Sequence, residues 1–135
     1  MKKILILSSN NTINEELYNE LKKYGHNPRC WKSLEGLTEK VEKEKPNLII
    51  ANFHLLGYRD EHIPIEDGGI IAIEKLVKSG LTIPFVFFYD DTLADKAIVY
   101  YYRIQKINSG LFQSQINIVH YPVDYKSIIE KANKI

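Results

Sequence analysis

Three short, almost wholly apolar runs constrain this chain more than anything else in it: Lys3 to Leu7, Asn47 to Phe53 and Ile83 to Tyr89. Each is too short for a buried helix and is followed by polar or turn-forming residues, the pattern of a strand covered on both faces. Between them the apolar period changes to that of a helix. Ile13, Leu17, Leu21 and Tyr24 recur on one face, with Thr12 and Glu15 placed as a capping box and Gly25 as a stop. Pro28 to Lys32 reads as a weaker strand, and Ser33 can cap a helix to about Lys45 with Leu34, Leu37 and Val41 on its face.

The second half repeats the alternation. Gly68 and Gly69 lead into a helix through Ile70, Ile73, Leu76 and Val77, ending at Gly80. Thr92 caps a fourth helix that Asn108, Ser109 and Gly110 break, Ile116 to His120 is a fifth strand, and Asp124 to about Asn133 a fifth helix. Strict strand–helix alternation predicts a parallel sheet covered by helices on both faces. Right-handed crossovers then leave the flavodoxin-like (βα)5 three-layer sandwich, with sheet order 2-1-3-4-5, as the default. At 135 residues the chain suits one domain, residues 1–135. Function belongs at the carboxyl ends of the strands: Ser8 to Asn11, Asn52 to Asp67, Tyr89 to Thr92 and His120 to Pro122.

A net charge of +1 gives no electrostatic basis for binding nucleic acid or a membrane surface. No run approaches the ~20 apolar residues of a membrane span, and the apolar N-terminal stretch is too short for a signal peptide, so a cytoplasmic protein is expected. The lone Cys30 has no disulfide partner, no zinc-ligand spacing surrounds it, and it reads as a structural thiol.

In order and spacing, four stretches resemble the receiver domain of bacterial response regulators: Lys3-Ile-Leu-Ile-Leu7, Pro46-Asn-Leu-Ile-Ile-Ala-Asn52, Ile83-Pro-Phe-Val-Phe-Phe-Tyr89 and His120-Tyr-Pro122. Asp67-Gly68 resembles the Asp-Gly that opens the family's third helix. The resemblance implies five groups: two acidic residues that help hold Mg²⁺, a phospho-accepting aspartate, a hydroxyl residue and a lysine. Here Ser8, Ser9, Asn52, Tyr89 and Tyr121 stand at those places. No carboxylate is left for the metal, an amide oxygen is a poor nucleophile towards phosphorus, and no lysine neutralises the developing charge. A degenerate pseudo-receiver is therefore expected, with no catalytic residue, no metal site and no cofactor. The two phenols, Tyr89 and Tyr121, would fill the space the phosphoryl group needs. The segment between Asn52 and Asp67, with Tyr58, Arg59, Asp60, Glu61, His62 and Pro64, is longer than the family's, as is Asn108 to Gln115.

Other candidates have plainer readings. Ser8 to Thr12 could hold a phosphate or flavin at a helix N-terminus, but lacks the glycine that lets a backbone approach phosphate; an ordinary cap suffices. Asp90, Asp91, Glu66, Asp67, Asp60, Glu61, His54, His62 and His120 could be drawn together around a metal, yet none has a recognised ligand spacing. Tyr100-Tyr101-Tyr102-Arg103 is the most unusual run. Successive helical residues point about 100° apart, so three tyrosines cannot all face the core. An exposed tyrosine and arginine make good interface anchors, and Tyr125 is a candidate for the same patch. The resemblance implies a partner or homodimer surface on the helix 4–strand 5–helix 5 face. The expected function is regulation or scaffolding through a protein partner, without catalysis. Since the chain ends with the last helix, output is expected to come through another protein, or the chain is one domain of a longer one. The alternative is a flavodoxin-like domain binding a small ligand, phosphate or nucleotide.

Overall fold

The structure is a computed structural model and describes residues 2–88, 97–110, 116–119 and 125–134; within 97–110, side chains are described for Val99 and residues 102–107, and within 116–119 the backbone alone. Five parallel strands, β1 (Lys3–Leu7), β2 (Asn27–Trp31), β3 (Leu48–Asn52), β4 (Phe85–Phe88) and β5 (Ile116–Val119), form one sheet in the order β2-β1-β3-β4-β5. The helices are α1 (Asn11–Lys23), α2 (Leu37–Glu44), α3 (Gly68–Lys78), α4 (Ala97–Gly110) and α5 (Tyr125–Lys134). This is the order that the alternation of apolar runs predicts.

Strand periodicity explains the three layers. Leu5, Leu7, Ile49, Ala51, Phe85 and Phe87 point to one face, where α2, α3 and α4 cover them with Leu37, Val41, Ile70, Ile73, Leu76 and Ile104. Ile4, Ile6, Leu48, Ile50, Val86 and Phe88 point to the other, under Ile13, Leu17 and Leu21 of α1 and Ile128, Ile129 and Ala132 of α5. Each such side chain taken fully out of water contributes ~1.5–3 kcal/mol of transfer free energy. The almost wholly apolar composition of β1, β3 and β4 is thus a direct consequence of being covered twice.

β2 is an edge strand and is blunted. Asn27 N–H donates to Lys2 O and Trp31 O accepts from Ser8 N–H, so Pro28 lies at the alternate, outward-facing backbone position, where it has no N–H to offer. Arg29 Nη1 covers the Pro28 carbonyl at 2.9 Å. Both features oppose pairing of another strand along this edge.

Several boundaries differ from the sequence expectations. The cap of α1 is Asn10, whose Oδ1 accepts from Ile13 N–H at 3.1 Å, so Thr12 already lies inside the helix. Ser33 does not cap α2. It bridges to Leu56, and α2 begins after Gly36, which holds φ 71°. A left-handed glycine here lets Trp31 close over the turn, its ring 3.1 Å from where a Cβ would stand. Asn108 to Gly110 remain helical, so α4 runs through the residues expected to break it. Thr92 lies outside the described residues.

Candidate functional site

The carboxyl ends of β1 and β3 meet where the strand order reverses, and the residues there are neutral. Ser8 and Asn52 are each 0% exposed and Asn14, from the first turn of α1, is 5% exposed. The Asn52 amide uses both ends inside the protein: Nδ2 donates to Ser8 Oγ at 3.4 Å and Oδ1 accepts from the His54 N–H at 3.2 Å. Ser8 Oγ also accepts from Asn10 N–H at 3.1 Å, and Ser8 O accepts from Asn14 Nδ2 at 2.8 Å. Asn14 Oδ1 is buried with no hydrogen-bond partner among the described residues. An orphaned carbonyl oxygen calls for a donor, the opposite of what an anion offers. Ser9 is half-buried beside this cluster.

The chains that follow β2 and β3 close a roof beyond the end of β1. β1 lies between β2 and β3 and stops at Leu7, which pairs with Trp31 and Ala51. Beyond it the flanking chains bond to each other. Leu56 N–H donates to Lys32 O, Leu34 N–H to Leu56 O and Glu35 N–H to Gly57 O. Leu55 and Ile65 then pair antiparallel, closing the loop that follows β3. Leu55 and Leu56 are buried, and Trp31 lies under cations from two elements, with Arg59 5.1 Å and Lys40 5.5 Å from its ring centre. Arg59 N–H donates to Glu35 Oε1 at 2.9 Å, and Tyr58 N–H to Glu61 Oε1 at 2.8 Å. The long segment between Asn52 and Asp67 is therefore ordered by named contacts, while Tyr58 and Ile63 at its tip stay exposed.

Two glycines let α3 start directly beneath the site. A Cβ on Gly69 would be driven into the Asn52 carbonyl oxygen, and one on Gly68 would stand 2.7 Å from Leu55 Cβ. Gly69 N–H donates to Phe53 O at 2.9 Å. The Asp-Gly-Gly run thus serves the close approach of helix to strand.

Receiver chemistry implies Mg²⁺ at this place. The residues present do not fit it: the donors are a hydroxyl and an amide already bonded to each other, and magnesium binding relies on carboxylate or phosphate oxygens. Among the described residues no three His, Cys, Asp or Glu side chains are grouped to hold a metal ion. Glu61 and Asp67 are engaged within the protein. Asp90, Asp91 and His120, like Tyr89 and Tyr121 of the expected pocket, lie outside the described residues.

The second polar constellation was not anticipated. Arg103 of α4 reaches to α3 and donates through Nη1 to Asp67 at 2.6 Å and through Nη2 to Glu74 at 2.8 Å. These bonds, that to Asp67 first, raise the guanidinium pKa further above its ordinary value. Arg103 is thus spent within the protein, while Tyr102 beside it is 68% exposed and Val99 57%. The side chains of Tyr100 and Tyr101 are outside the described set. Tyr125 is half-buried at the start of α5 and lines a groove with Glu20 of α1 and Tyr24, which follows that helix. Cys30 is partly buried against the α1–α5 core layer, and burial pushes its thiol pKa up.

No family profile matches the sequence, and no curated protein does. Solved structures do. The BeF3-activated N-terminal receiver domain of Klebsiella pneumoniae RstA superposes with a TM-score of 0.71 at 13% identity, covering 98% of this chain and 96% of that one. The chain has the receiver fold. The receiver domain of Francisella response regulator 1452 gives 0.71 at 12% identity, over 99% of this chain and 95% of that one. The signal receiver domain of a putative LuxO repressor protein from Vibrio parahaemolyticus gives 0.70 at 12%, over 98% and 88%. At such identities the likeness shows architecture. Among the described residues no helix is long and apolar enough to cross a membrane.

Proposed function

We propose that the chain is a single receiver-like domain acting in signalling or regulation, through protein–protein contacts and without aspartyl phosphorylation or catalysis. The observation that carries this reading is Asn52. It stands where the resemblance implies the phosphoacceptor, carries no charge, is fully buried and has both amide ends hydrogen-bonded inward. Phosphoryl transfer needs an accessible nucleophile in line with the donor and cations around the transferring group. A buried, neutral amide bonded inward at both ends offers neither.

The output surface in this reading is the outer side of α4, where Val99 and Tyr102 are exposed. A large amphipathic side chain held on a helix is the kind of anchor that dominates interfaces. A second copy of the chain, docking through the α4–β5–α5 face, is the first partner to test, since the blunted β2 edge opposes assembly through the sheet. Two measurements test the proposal. Incubation with Mg²⁺ and acetyl phosphate, followed by intact mass, should give no phosphoryl adduct; an adduct removes the phosphorylation-independent reading. Sedimentation should show self-association that Tyr102→Ala weakens at least tenfold; unchanged association removes this surface from a homodimer.

A further inference from the structure

Burial alone does not fix the rotation of α4 about its own axis. Among the described residues its apolar side chains lie on both sides, with Ile104 buried and Ile107 half-buried but Val99 and Tyr102 exposed. A helix with apolar residues on more than one side can turn by part of a residue spacing and still bury a comparable area. What selects one setting is a polar contact with direction. Arg103 supplies it, standing between outward Tyr102 and inward Ile104 and forking across to two carboxylates one and a half to two turns apart along α3.

Asp67 is free for this role. It is the N-cap of α3 but makes no side-chain cap bond, so its carboxylate goes to the guanidinium instead. Asp67 also ends the long segment that follows β3, so the fork ties α4 to that segment's exit as well as to α3. A groove of about 430 Å³ opens beside it, lined by Glu74, Arg103, Lys106 and Ile107.

We propose that the Asp67–Arg103–Glu74 fork is a rotational lock that sets the outward side of α4 and so presents Tyr102 permanently, making Arg103 the positioning residue of the partner surface. The lock rests on the reading of α4 as that surface: an internal ion pair fixes the setting of the helix.

The test is amide hydrogen exchange and hydroxyl-radical labelling on the full chain, comparing Arg103→Ala, Arg103→Lys and the Asp67→Asn/Glu74→Gln double variant with the parent. The expected result is faster exchange across Tyr102–Ile107, by about tenfold in Arg103→Ala and in the double variant and by less in Arg103→Lys, with α1 amides unchanged. Labelling of Tyr102 should fall relative to the exposed Tyr24 while labelling of Ile107 rises; simple loosening would raise both. High salt should speed exchange in the parent and leave Arg103→Ala indifferent. If Arg103→Ala opens α1 as well, the double variant decides. Parental protection and labelling of α4 in the folded variants would overturn the lock. Adding Mg²⁺ and beryllofluoride to the parent separates the two claims: a response there sinks the phosphorylation-independent reading, whereas the lock stands or falls on the variants.

Discussion

At the ends of β1 and β3, three neutral side chains, Ser8, Asn14 and Asn52, are buried at 0%, 5% and 0% exposure. Between α3 and α4, three charged side chains, Asp67, Arg103 and Glu74, keep 29%, 34% and 38% of their surface in solvent. The difference follows from what each place tolerates. A buried amide or hydroxyl needs only a partner or two, whereas an ion needs a counter-ion and residual solvation. At the ends of β1 and β3 the described side chains are neutral and bonded to one another, and charge stands where it can still be hydrated, between two helices.

The largest effect should come from crowding the joint. Gly69→Ala drives a methyl into the Asn52 carbonyl, where the backbone cannot yield, and should destabilise by ~3 kcal/mol or more. Denaturant unfolding checks this, and a loss under 1 kcal/mol would mean that α3 is not seated as described. Next comes Asn52→Asp, which puts a carboxylate into the neutral crevice. Desolvation raises the folded pKa of such a group above its unfolded value of about 3.9. The loss is therefore absent at low pH, grows as pH rises from the unfolded to the folded pKa, and then levels off at about 3 kcal/mol. A carboxylate welcomed by cations would have a depressed pKa and the opposite slope, so melting curves between acid and neutral pH discriminate the two.

The fold was legible because its signal is collective: the apolar runs at β1, β3 and β4 need two covering layers, and glycines and polar turns separate them. The site was legible only as residue types. Asn52 and Ser8 could be placed by the resemblance, but the roof could not, since Ser33 looked like a helix cap and the bond from Leu34 to Leu56 joins backbone groups that carry no sequence mark. Asn14 left a faint trace, as a polar residue in register with Leu17 and Leu21 on the apolar stripe of α1. The Arg103 fork spans 36 and 29 positions, a separation at which only the folded topology reveals the pairing.

Smaller perturbations refine the contrast. Arg59→Ala removes a cation from Trp31 and should cost about 0.5–1 kcal/mol, with faster amide exchange at residues 57–61 and no change in α4. Unaltered exchange in the loop would mean that the strand-like bonds alone hold it. The smallest effect belongs to the helix-surface pair Lys40–Glu44. The hydrogen bond from Lys40 holds the Glu44 carboxyl below its usual pKa. Its contribution is therefore present above the unfolded value, about 4.3, and is lost as pH falls through the folded one. Glu44→Gln should lower stability slightly at neutral pH and leave it unchanged in acid, so that melting curves flatten on the acid side.

The central claim is that the crevice is a closed joint and not a ligand site. Titrating the protein with Mg²⁺ and beryllofluoride while following backbone amide NMR shifts tests it directly. The account predicts no saturable change at Ser8, Asn10, Asn52 or His54. Saturable shifts at these amides would show that the crevice opens and binds the phosphoryl mimic, contradicting the account.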